Sequence, residues 1–244
     1  MLKNTFCHIP GVGKETEANI WRNNTLNWEE FLTKNQNHNL NNHIEQSLNA
    51  YRNKDYKYFI DNIPGKDHWR TYPDFKEQCC FLDIETTGLD KHRDDITLIG
   101  LYNGTESKIF TQGENIKDFA LELDKYPLVV TFNGRCFDIP FIRRKYPEVN
   151  LNKFHIDLRF AMKNLGYSGG LKKIEKQLGI NRGEELDGVD GFEAVRLWYS
   201  YKKGNDDSLT LLKKYLKADI ENLKTIMDFA FDKLKEKEFL SVID

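Results

Sequence analysis

The chain has 244 residues with 39% apolar and 30% charged content, the make-up of an ordinary folded domain and not of a disordered or fibrous chain. A formal net charge of −2 excludes bulk charge as the means of holding nucleic acid or membrane, so an anionic ligand must be met by local basic groups or by bound metal. MLKNTFCHIPG at the start holds no apolar run of the signal-peptide kind, no stretch approaches the ~20 apolar residues of a membrane span, and Cys7, Cys79, Cys80 and Cys136 have no zinc-site spacing, so a cytoplasmic protein with reduced thiols is expected.

Residues 1–72 are rich in Asn and aromatic residues and are expected to form a small helical extension ahead of the main domain, 73–244. GKETEANIWRNN and NWEEFLTKNQ read as short helices, NQNHNLNN as a polar break, and FIDNIPGKDHWRTYPDF as a turn-rich connection. From there the periods sharpen. Residues 79–85, 95–103 and 107–111 read as strands, with the turn signal YNGTES between the last two. Ile116, Phe119, Ala120 and Leu123 recur at helical spacing. LVVTFNG is a fourth strand, apolar and β-branched as a centrally buried strand should be. DIPFIRRKY opens a helix with Asp138 placed to cap it and Pro140 in the first turn. KFHIDL is a short fifth strand, and the remainder reads as helices broken by GYSGG, GINRGEELDG and KKGNDD. The expected fold is an α/β layer with a mixed sheet, three antiparallel strands followed by parallel ones, flanked by helices.

Acidic residues interrupt this apolar pattern at four points. Asp83 and Glu85 stand at i and i+2 on the first strand, and therefore on one face. Asp138 follows the fourth strand in TFNGRCFDIPFI. Asp219 lies on the apolar stripe Leu212, Leu216, Ile220, Leu223, Met227 of the last long helix. Burying one ionised carboxylate costs several kcal/mol, and four would take a large fraction of the roughly 5–15 kcal/mol that keeps a domain folded. Hard divalent cations compensate such a group, because Mg²⁺ and Mn²⁺ take carboxylate oxygens and water. Two ions held by shared carboxylates form a clamp for phosphodiester hydrolysis, one helping to generate hydroxide and the other steadying the leaving oxygen. Tyr215, one turn before Asp219 on the same helix face, is placed to orient the attacking water.

FLDIETTGL, VTFNGRCFDIPFI and YLKAD together resemble the three motifs of the DEDD superfamily of 3′–5′ exonucleases, which share a ribonuclease H-like fold. The Tyr-x-x-x-Asp form of the third motif, with Lys214 where the histidine subclass has His, implies the tyrosine subclass. The resemblance implies that Asp83, Glu85, Asp138 and Asp219 are metal ligands for two Mg²⁺ or Mn²⁺ ions and that Tyr215 positions the water. More narrowly, HWR at 68–70, HIDL, GGLKKIEKQLGINR and DGFEAVRLW are similar to the stand-alone family called YprB-like, over about 79–228. Asp157, in HIDL, is a further ligand candidate or a structural cap.

The substrate so implied is the 3′ end of single-stranded DNA or RNA, which needs basic and stacking groups. Thr86, Asn133 and Arg135 of the first two motifs, and Ser168, Lys172 and Lys173 of YSGGLKK, are the candidate contacts. Arg143, Arg144 and Lys145 form a basic run on the following helix. Phe132, Phe137, Tyr167 and Trp198 are stacking or core residues. HIPGVGKETEANIW partly resembles a helix-hairpin-helix element but lacks room for a first helix. Three other readings compete: a phosphatase of the haloacid dehalogenase type, on DIETTG and KGNDD; an endonuclease on the same metals; and a non-catalytic nucleic-acid module.

Overall fold

A computed structural model describes residues 1–186 and 188–243. The extension contains α1 (Lys14–Arg22), α2 (Trp28–Lys34), α3 (His38–Arg52), α4 (Tyr56–Asn62), a 3₁₀ segment Gly65–Thr71 and α5 (Tyr72–Phe75). Most of the expected polar break at 35–42 belongs to α3. Asn is a poor helix former but a strong N-cap, and Asn37 accepts from the N–H groups of Asn39 and Leu40. Ile44 and Leu48 then supply the buried stripe.

The sheet follows the expected pattern. β1 (Cys79–Thr86), β2 (Ile96–Tyr102) and β3 (Ser107–Thr111) are antiparallel neighbours, and β4 (Leu128–Thr131) and β5 (Phe154–Asp157) add on the other side of β1 in parallel. The order is β3-β2-β1-β4-β5. Between strands run α6 (Phe119–Leu123) and α7 (Asp138–Lys145), and after β5 come α8 (Leu158–Asn164), α9 (Leu171–Gln177), α10 (Gly191–Lys202), α11 (Asp206–Lys235) and α12 (Ser241–Ile243). β4 ends three residues sooner than LVVTFNG suggests. Asn133 turns into the left-handed region at φ 65°, and Gly134 lies so close beneath Thr131 that a Cβ would come within 2.3 Å of its Oγ1.

The alternation along β1 divides its side chains between two faces. Cys80, Leu82 and Ile84 pack with Phe119, Leu123, Phe141 and Ile142, so α6 and α7 cover that face. Cys79 and Phe81 pack with Leu223, Ile226 and Met227 of α11, which covers the other. Asp83 and Glu85 share this second face. Gly100 of β2 is paired with Asp83, and it lets α11 approach: a Cβ there would stand 3.0 Å from Leu216 and 3.1 Å from Ile220.

The extension shares the α11-side core, where Leu2, Phe6, Trp28 and Phe59 join one cluster with Phe154 and Met227. HWR is the bolt between them. His68 Nδ1 accepts the His155 N–H of edge strand β5 at 3.0 Å, satisfying an edge donor. Arg70, 1% exposed, donates to both oxygens of Glu17 at 2.8 Å. It also lies 3.7 Å from Asp67 and 3.4 Å from Glu238 near the C-terminus. The hairpin-like HIPGVG segment is tied inward: the N–H groups of Phe6 and Cys7 donate to Glu17, and Ile9 and Val12 are buried. No helix among the described residues is long and apolar enough to cross a membrane.

Candidate metal centre

Three chain segments bring the acidic residues together. Asp83 and Glu85 project from β1 toward α11, and Asp219 projects back from α11. One oxygen of each lies within 4.8 Å of the others. Immediately after Glu85 the β1–β2 register slips, with Glu85 opposite Leu98 but Thr86 opposite Ile96. Such a bulge ends regular pairing and re-aims side chains, here at the rim of the site. Among the described residues this is the sole group of three or more such ligands gathered in this way.

Asp138 approaches from the first turn of α7. The expectation that it caps this helix is corrected: Phe137 holds the N-cap position, and no side chain caps it. Carbonyls of the preceding turn already take the early donors, with Asn133 O accepting from Phe137 N–H and Gly134 O from Ile139 N–H. The carboxylate is left facing β1. It is 2% exposed, its Oδ1 is buried with no hydrogen-bond partner, and its charge acts on both Asp83 and Glu85.

Crowding and burial make ionisation of these groups costly. Burial pushes Asp83 well above the carboxylate range, and Asp138, Asp219 and Glu85 add to it. Burial does the same to Glu85, with Asp219 and Asp138 adding. Burial raises Asp138 to about 7, although the N–H groups of Asp138 itself and Ile84 pull it down. Burial raises Asp219 to about 6, against the opposing pull of Arg182. Tyr215, 7% exposed, is also pushed up by burial and by Asp219, Glu85 and Asp83, so its phenol keeps its proton. A set of carboxylate oxygens, one of them buried and orphaned, fits a hard divalent cation and not a soft one.

Two charged groups outside the three acidic motifs complete the cluster. Arg182 makes an ion pair with Asp219 Oδ1 and donates through Nε and Nη2 to Glu175 at 2.8 and 2.7 Å. Glu175 is itself 2% exposed and accepts from Asn222 of α11 at 2.9 Å. The guanidinium also lies 5.5 Å from the centre of the Tyr215 ring. Arg182 follows Gly179 in a turn-rich run and Glu175 sits on a seven-residue helix, so neither position carries a periodic signal of burial. Both lie in GGLKKIEKQLGINR, and electrostatics adds a second signal: buried Glu85, Asp138 and Asp219 beside half-buried Asp83 call for a nearby cation.

The expected nucleic-acid contacts are spread around this centre. Lys172 is half-buried with Nζ 4.9 Å from the Tyr215 ring centre, whereas Lys173 and Ser168 are exposed. Gly170, not Ser168, is the N-cap of α9. Thr86 is buried and donates its hydroxyl to Gly88 O at 2.6 Å. Asn133 Oδ1 accepts from Arg159 at 2.6 Å. Arg135 is exposed and lines a cleft of about 500 Å³ with Lys14, Lys66, His155 and Phe160. Asp157 acts as a cap: its oxygens accept from the N–H groups of Asn133, Arg135 and Arg159, which pins the turn leading to Asp138. Phe132 and Trp198 are core, Tyr167 packs on Phe229 and Phe137 on Phe141. Lys145 pairs with Asp95, while Arg143 and Arg144 are exposed. The acidic end of KKGNDD, Asp206 and Asp207, is exposed in the first turn of α11.

Several solved structures are similar to the chain. One is a family B DNA polymerase from the hyperthermophilic archaeon Pyrobaculum calidifontis, at 15% identity and a TM-score of 0.48, covering 65% of this chain. The match spans 24% of that polymerase, so the chain corresponds to about a quarter of its length. A second, described as the apo form of a nuclease, is 17% identical over 74% of this chain and 83% of its own, with a TM-score of 0.48. A third is Brucella melitensis NrnC with bound Mg²⁺, 15% identical over 70% of this chain and 81% of its own, again with a TM-score of 0.48. No curated protein sequence matches the chain. Residues 80–231, which hold every carboxylate of the cluster and all five strands but for the first residue of β1, match the family model RNase_H_2, and the chain belongs to the RNase_H superfamily.

Proposed function

We propose that the protein is a metal-dependent 3′–5′ exonuclease of the tyrosine subclass of DEDD nucleases, in the YprB-like branch, hydrolysing phosphodiester bonds at the 3′ end of single-stranded DNA or RNA. The observation that carries this reading is the meeting of Asp83, Glu85 and Asp219 oxygens within 4.8 Å, with Tyr215 one turn before Asp219 on the same buried face.

In this reading Asp83, Glu85, Asp138 and Asp219 hold two Mg²⁺ or Mn²⁺ ions. Bound there, the ions would supply an acidified water and neutralise charge that builds on the phosphate. The protein's own groups do the rest. Tyr215 remains a neutral phenol and so orients the attacking water by hydrogen bonding, not as a base. The buried walls from β1 and α11 exclude bulk water, which strengthens every charge interaction inside. Lys172 at the rim meets a phosphate next to the scissile one. Arg135 and the exposed Phe160, 47% accessible, guide the strand by charge and stacking, as single-strand grooves do.

The test is digestion of 5′-labelled single strands of DNA and RNA with Mg²⁺, Mn²⁺ or chelator. A ladder shortening from the 3′ end, absent with chelator, is the expected result. Internal cuts or opening of circular strands would replace this reading with an endonuclease. Binding without any cleavage would replace it with a non-catalytic module.

A further inference from the structure

Arg182 stands at the place where a bound divalent ion would make a second cation unwelcome. Its side chain is 9% exposed and pairs with Asp219 Oδ1. Among the described residues no other cation is paired with Asp83, Glu85, Asp138 or Asp219. A second grip, on Glu175, uses Nε and Nη2, and Nη1 is buried without a partner. The residue belongs to no helix or strand. It lies between α9 and a 3₁₀ turn at Glu184–Leu186, and the segment has glycines at 179, in the left-handed region at φ 71°, and at 183.

We infer that Arg182 is an exchangeable counter-cation: it neutralises Asp219 while the cluster is free of metal and withdraws when a divalent ion takes that carboxylate. The inference rests on reading the cluster as a metal centre. A guanidinium and a doubly charged ion on the two oxygens of one carboxylate stand a few ångströms apart and repel, so Asp219 serves one of them well and not both. The division of the guanidinium between Asp219 and Glu175 suits exchange. Glu175, braced by Asn222, retains the displaced side chain beside the site, and the orphaned Nη1 shows that the fork is not fully satisfied in its present place. A fixed role has the opposite sign. If Arg182 only oriented Asp219 for the metal, its removal would loosen metal binding.

The experiment measures Mn²⁺ binding to the 244-residue chain by titration calorimetry and by loss of the free-Mn²⁺ electron paramagnetic resonance signal. Wild type is compared with Arg182→Gln and with the double variant Glu175→Gln/Arg182→Gln. The double variant removes both buried charges, so no carboxylate at 175 is stranded if the single variant does not fold. Exchange requires the folded variants to bind Mn²⁺ about tenfold or more tightly than wild type. Equal or weaker binding overturns it. Asp83→Asn separates the two levels of the argument. Uptake unchanged in Asp83→Asn refutes the metal centre itself. Uptake lost in Asp83→Asn, with no gain in the Arg182 variants, refutes the exchange alone.

Discussion

Replacing Asp138 by Asn should stabilise the metal-free protein and abolish its activity. The carboxyl is 2% exposed, its Oδ1 has no hydrogen-bond partner and, among the described residues, no cation is ion-paired with it. Its pKa is raised from 3.8 to about 7. Between these values the folded state holds a proton that the unfolded state has released, so stability falls as pH rises across that window and is level above it. At about 1.4 kcal/mol per pH unit, the ionised Asp138 costs the fold about 4 kcal/mol at pH 8. A buried amide with unmet hydrogen bonds offsets about 1–3 kcal/mol of this gain. Asp138→Asn should therefore be more stable than wild type by about 1–3 kcal/mol at pH 8, and the order should reverse near pH 4, where wild type is protonated and only the amide's cost of about 1–3 kcal/mol remains. Urea unfolding in chelator, followed by circular dichroism from pH 4 to 8, measures both. Added Mg²⁺ should reverse the order, since only wild type keeps the full ligand set. A variant less stable than wild type at pH 8 in chelator, or a gap that does not change with pH, refutes the reasoning.

Three further substitutions probe other links. Gly100→Ala places a methyl 3.0 Å from Leu216 and 3.1 Å from Ile220; overpacking should cost about 1–3 kcal/mol and shift α11, lowering turnover as well, and a variant with wild-type urea midpoint and rate would show that the close approach is unimportant. Arg70→Met strands buried Glu17 and should cost about 3–5 kcal/mol, most of it regained in Glu17→Gln/Arg70→Met; a double variant no more stable than the single contradicts the bolt. Tyr215→Phe should lower kcat about 100-fold with Mn²⁺ affinity and KM kept, and unchanged turnover would remove Tyr215 from the role of water positioner.

Where local signals and burial agreed, the chain could be read directly. The five strands follow from their apolar and β-branched runs, and Asp219 stood out because it interrupts an unbroken stripe from Leu212 to Met227. α3 was hidden because its Asn-rich start resembles a loop until Asn37 is seen as a cap. Asp close to Pro is a common N-terminal signal, so the sequence points to a cap at Asp138, and nothing local tells that backbone carbonyls of the Asn133 turn already satisfy the helix. Glu175 and Arg182 fall within GGLKKIEKQLGINR, but nothing local gives their role. Their partners lie on α11, so only the packing of α9 and its following loop against that helix brings them to Asp219. The task of HWR, joining the extension to β5 and Glu17, depends on contacts up to 168 residues apart in sequence.

The most direct measurement is anomalous diffraction from a crystal soaked in Mn²⁺. Manganese should be found bound by Asp83, Glu85, Asp138 and Asp219, with Tyr215 facing it. Strands shortened from the 3′ end by a protein whose crystals hold no manganese among these four side chains would mean that the chemistry runs elsewhere.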